Sequence, residues 1–132
     1  MNKICTDINQ SQKLIELGID VNTADMCYCP MMNIDSGKNE GYLETPECYS
    51  FSEVKDCLVP YLPAWSLSAL LKLIPKSTIS TPNPFCDIYC CRNIEFDMEF
   101  YAGNPVDAAF EMVCWLLENK VNYVPVDCKN NK

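Results

Sequence analysis

Cysteine offers this sequence most of its chemistry, and histidine is what it lacks: ten cysteines, at positions 5, 27, 29, 48, 57, 86, 90, 91, 114 and 128, accompany no histidine. Without an imidazole there is no Ser-His-Asp or Cys-His nucleophile system, no histidine metal ligand, and none of the commonest general base. The thiols themselves offer soft-metal binding or a reactivity of their own. Four thiolates close tetrahedrally on zinc, and the set that two strands would bring together is Cys27 and Cys29 with Cys86 and Cys90 or Cys91. That spacing departs from the paired C-x-x-C knuckles of zinc ribbons, because residues two apart on a strand merely share a face. Plain structural cysteine competes with the metal site, and Cys57 and Cys114 fit it, falling in helical apolar patterns as small hydrophobes.

The acidic residues offer less. Glu95, Asp97 and Glu99 alternate with Ile94, Phe96, Met98 and Phe100, which would align three carboxylates on one strand face for acid and base work or for a cation. The competing expectation is the wet side of a strand, guarding it against edge pairing. Asp20, Asn22 and Asp25 echo half of a calcium loop without its turn glycine or closing glutamate. With only four glycines in the chain and none in a Gly-rich turn, there is no phosphate loop, dinucleotide fingerprint or nucleophile elbow. No cofactor is expected.

The elements that must carry these residues announce themselves unevenly. Thr6 or Asp7 is an N-cap for a helix to about Leu17, with Gly18 as the residue that ends it. Residues 25–34 favour a strand, with Pro30 at an edge or bulge, and Tyr42 and Leu43 pair back after the turn cluster 35–41. A short helical turn over 52–58 precedes Pro60 and Pro63, which exclude helix there. Ser66 caps a helix over 67–74 that Pro75 ends. The Ser-, Thr- and Pro-rich stretch 76–84 reads as an exposed connector, followed by a hairpin whose arms, 85–91 and 94–101, flank a turn near Arg92 and Asn93. Asn104 as N-cap, Pro105 at the first helical position and Asp107 at the third mark the strongest helix start, running to about Asn119. The tail would add an edge strand over 121–126.

On a wheel the last helix aims Val106, Phe110, Val113 and Leu117 at the core, and leaves Ala108, Met112 and Trp115 opposite, where solvated residues belong. Either the chain covers that face itself or a partner does, and Trp and Met are side chains that interfaces favour. Two segments, Pro63-Ala64-Trp65-Ser66-Leu67-Ser68-Ala69-Leu70-Leu71 and Asn104-Pro105-Val106-Asp107-Ala108-Ala109-Phe110-Glu111-Met112-Val113-Cys114-Trp115-Leu116-Leu117-Glu118, resemble uncharacterised small proteins of gut bacteria and their prophages. They span about a fifth of the chain. The resemblance implies an accessory gene product with no assigned activity, and it transfers no functional residue.

Apolar residues make up 48% of the 132 and charged residues 21%, globular values for one domain over residues 1–132. The net charge of −8, from 18 acidic and 10 basic residues without a basic stripe, disfavours nucleic acid. Residues 1–10 lack the basic and apolar regions of a secretory leader, and no apolar run reaches membrane-spanning length. The expected fold is therefore α+β: an antiparallel sheet of three to five strands with two or three helices on one face. The expected protein is cytoplasmic, acidic and non-catalytic, working by self-association or an unknown protein partner, with no membrane and no nucleic acid. A cysteine-thiolate zinc module and a small enzyme without histidine stand as alternatives.

Overall fold

Asp7 sets the first element. Its carboxylate accepts from the Gln10 N–H at 2.7 Å while the Gln10 side-chain oxygen accepts from the Asp7 N–H at 3.0 Å, a reciprocal cap that satisfies two donors otherwise orphaned. Helix α1, Ile8–Glu16, follows, and Gly18 reverses the chain at φ 90°, where a side chain would be strained. The computed structural model describes residues 3–56, 60–83, 85 and 87–119; the expected tail strand over 121–126 lies outside them.

A 3-10 turn at Val21–Thr23 leads into β1, Met26–Tyr28, and then β2, Pro30–Met32. The single strand expected over 25–34 thus breaks at Cys29, and its halves take different partners. Strand β2 pairs antiparallel with β3, Asn39–Tyr42, through an irregular register, whereas β1 pairs with β4, Leu62–Ala64, with Met26 opposite Ala64 and Tyr28 opposite Leu62. Short helix α2, Phe51–Val54, overlaps the start of the turn expected over 52–58, of which 57 and 58 lie outside the described residues. Helix α3, Leu67–Leu73, starts on Ser66, whose hydroxyl accepts from the Ala69 N–H.

Two expectations are corrected in the last sheet. The stretch read as a connector is a strand, β5, Ser77–Asn83, paired with β6, Ile88–Asn93. Hydroxyl-rich and β-branched residues suit an edge strand as well as a loop, and Pro82 is tolerated at an edge. The second hairpin arm begins four residues late, as β7, Met98–Ala102. The turn occupies 94–97 instead, because the Asn93 side chain accepts from the Glu95 and Phe96 N–H groups at 3.0 Å each and Asp97 takes a positive φ of 51°.

The architecture is α+β, with its antiparallel strands divided into two two-stranded sheets and one three-stranded sheet of order β5-β6-β7. Helix α4, Pro105–Glu118, starts on the Asn104 cap and lies across the three-stranded sheet with α3 beside it, while α1 packs on β4. The main core joins Leu14, Trp65, Leu70, Leu73, Phe110, Met112 and Leu116 around α4; a second cluster joins Cys5, Met26, Tyr28, Leu62 and Ala64 beneath α1. Each large side chain so buried contributes roughly 1.5–3 kcal/mol.

Candidate functional site

The thiols are dispersed by the sheets that carry them. Cys27 is buried in β1, opposite Pro63, and bridges through its backbone to Glu47. Cys29 stands between β1 and β2 and donates weakly to the Pro30 carbonyl at 3.6 Å. Cys90 belongs to β6, in another sheet, opposite Ser80 and Tyr101, and Cys91 turns the other way into the main core. Among the described residues no three Cys, His, Asp or Glu side chains gather where they could hold a metal ion. The proposed thiolate set of Cys27, Cys29 and Cys90 is therefore not brought together; Cys86, its remaining member, lies outside the described residues, as does Cys57.

Nor does any of the shifted thiols resemble an activated nucleophile. Burial pushes Cys27 up to about 11, helped by the Glu47 carboxylate. It pushes Cys91 up to about 12, and Cys114 to about 12 with Glu111 adding to the effect. Cys5 and Cys90 are raised too, first by burial. A protonated thiol is a poor nucleophile and a poor metal ligand.

The carboxylate row dissolves because Glu95 and Asp97 sit in the turn and not on the strand. Glu95 pairs with Lys76 and Asp97 with Arg92, each at 2.8 Å, while Glu99 on β7 accepts from the Tyr101 hydroxyl at 2.5 Å. Each carboxylate has its own local partner, and all three are exposed as the wet-side expectation held. The half calcium loop is likewise spent on local structure. Asp20 caps the 3-10 turn through the Asn22 N–H at 3.0 Å, and Asp25 accepts from the Ser66 N–H and hydroxyl.

The face of α4 left open on the helical wheel is closed by the chain itself. Ala108 and Met112 are both 0% exposed, which corrects their expected place at an interface: α4 runs between α3 and the sheet, so residues on opposite sides of the helix are both inside. Trp115 is half-buried under the Phe96 ring, packed edge-on at 5.6 Å and 63°. A wheel drawn for one helix cannot register a second layer.

The β2-β3 arm is the hairpin expected around the turn cluster 35–41, with Tyr42 opposite Pro30; what the sequence missed is the apolar surface it exposes. Beyond Cys29 the chain leaves the core and returns at Leu43, whose N–H donates to the Cys29 carbonyl at 2.9 Å. The loop between is organised by Asn33, whose side-chain oxygen accepts from the Asp35 and Ser36 N–H groups and whose amide donates to Glu40 at 3.1 Å. Gly41, at φ 131°, lets Met31 lie across it: a Cβ there would come within 3.2 Å of the Met31 methyl. On this ordered arm Met31, Met32, Ile34 and Leu43 stand in water, Ile34 at 99% exposure. At its base Asp7, Ile8, Asn9, Tyr28 and Glu44 line a cavity of about 330 Å³. The signal available in the sequence was Met31-Met32 before an Asn-initiated turn, a pattern that equally suits a strand buried on one side.

No helix among the described residues is long and apolar enough to cross a membrane. Comparison with family models, curated proteins and solved structures finds no match for the chain.

Proposed function

We propose that this chain is a non-catalytic accessory domain that works by protein–protein contact in the cytoplasm, and that the contact is made by the β2-β3 arm. One observation carries this reading: on a hairpin held in shape by its own hydrogen bonds, the large apolar side chains of Met31 and Leu43 are exposed on one face, with Met32 on the other and Ile34 beyond the strand. Four such residues in water cost solubility unless something covers them, and methionine adapts to a partner's shape. An arm ordered beforehand loses little entropy when it docks. The seven described cysteines are free thiols, which supports a reducing compartment, and the acidic charge speaks against nucleic acid as the partner.

The test is site-directed photo-crosslinking in the native host. A benzophenone amino acid at position 34 is expected to give one discrete adduct, and the same probe at exposed Lys72 on α3 none. Equal adducts from both positions, or none from position 34, would overturn an arm-mediated contact.

A further inference from the structure

The arm's surroundings specify the partner's chemistry. Between positions 33 and 47 stand four carboxylates, Asp35, Glu40, Glu44 and Glu47, against the single cation Lys38. None of the four enters an ion pair among the described residues. The cavity at the arm's base combines apolar and acidic residues likewise, Ile8 and Tyr28 with Glu44 and with Asp7, the last already paired with Lys3 at 3.1 Å. A long side chain with an apolar stem and a cationic head matches such a lining.

Resting on the proposal that the arm is the contact surface, we infer that its occupant is a basic amphipathic helix of another protein, presenting an apolar stripe flanked by lysine or arginine. Met31, with Leu43 on the same face of the hairpin, takes the stripe, since a flexible thioether side chain accommodates apolar helix faces without strict shape matching. Glu40 and Glu44, neither in an ion pair among the described residues, take the flanking cations. A second copy of this chain is a poor occupant: two molecules of charge −8 would bring acid rim against acid rim. An anionic bilayer meets the same repulsion.

The experiment uses the full chain with its methionine methyls labelled with carbon-13, so that the six methionines report separately by NMR. The probe is a synthetic leucine–lysine amphipathic helix of about 18 residues, with a leucine–glutamate helix of equal length as its counterpart. The cationic peptide is expected to shift the Met31 methyl and leave those of buried Met26 and Met112 in place. Its affinity falls at least about fivefold between about 0.1 M and about 1 M salt, as the screening length shrinks from about 10 to about 3 Å. Met31→Ser/Leu43→Ser weakens binding at least about tenfold, with the unchanged Met112 methyl showing that the fold is intact. Glu40→Gln/Glu44→Gln removes most of the salt dependence.

Equal binding of the anionic peptide, shifts spread over the core methionines, or no shift at all would overturn the inference. So would a concentration-dependent dimer that broadens Met31 without peptide, or the same shift on vesicles of phosphatidylglycerol. Should position 34 still crosslink to one protein while the cationic peptide fails, the arm remains the contact surface and only the partner's class is wrong.

Discussion

At the scale of single residues, cysteine chemistry is decided by where the sheets place each sulfur. Cys5, Cys27, Cys90, Cys91 and Cys114 are all buried and all hold their protons more tightly than a free thiol, chiefly because burial disfavours the thiolate. Cys48 is the exposed one among the seven described free cysteines. Pulse labelling of the native, reduced protein with iodoacetamide at neutral pH, read by peptide mass spectrometry, should therefore modify Cys48 ahead of those five by at least about tenfold. A buried cysteine reacting as fast as Cys48 would restore a catalytic thiol to consideration. The absence of histidine was legible at once, and it removed whole classes of mechanism. Which thiols converge was not legible, because that depends on pairing partners: Cys27 and Cys29 are two apart in sequence, yet only Cys27 lies in β1.

At the scale of elements, whatever is settled within a few residues was legible. Asp7, Ser66 and Asn104 each cap the helix expected of them, because the bond closing each cap spans three positions and needs no tertiary partner. Asn104 does more than cap: its side-chain oxygen accepts from the Asp107 N–H, and its amide donates to the Asp107 carboxylate, both at 2.8 Å. Asn104→Ala should cost about 1 kcal/mol in urea unfolding, and Asn104→Ser only a fraction of that; equal losses would mean that the amide contact and not the cap is what matters. Strand β5 escaped because serine, threonine and proline describe a connector and an edge strand alike. The hairpin turn moved from 92–93 to 94–97 because Asn93 is 0% exposed, fixed by donating to the Ser77 hydroxyl at 3.0 Å while its oxygen gathers the turn. No alternation of polar and apolar residues encodes that contact.

At the scale of the whole molecule, α4 is an inner layer, and the chain's response to pH follows from what that layer and its neighbours bury. On the acid side, burial alone would raise Asp107, but hydrogen bonds from Lys3, Gln10 and Asn104 outweigh it and lower its carboxyl, so its contribution is lost only as pH falls below the ordinary carboxylate range. On the alkaline side the sign reverses. Cys91 and Cys114, both in the main core, and Cys27 in β1 stay protonated in the folded state up to about 12, about 12 and about 11 respectively. The unfolded chain releases those protons from about pH 8.5 upward. The folded state then binds more protons than the unfolded one, and stability declines with a limiting slope of about 1.4 kcal/mol per pH unit for each thiol. Urea midpoints under reducing conditions should accordingly be level up to about pH 8 and fall steeply between about pH 9 and about pH 10. Cys5 and Cys90, raised likewise, add to the decline in the same interval, and Tyr28 and Lys3, both raised in the folded state, join it from about pH 10 upward. Cys114→Ala lowers the plateau through the small cavity it leaves, and it should also flatten the decline by about one thiol's share. A Cys114→Ala decline as steep as that of the parent would show that this thiol ionises without unfolding, and that the layer around α4 admits water.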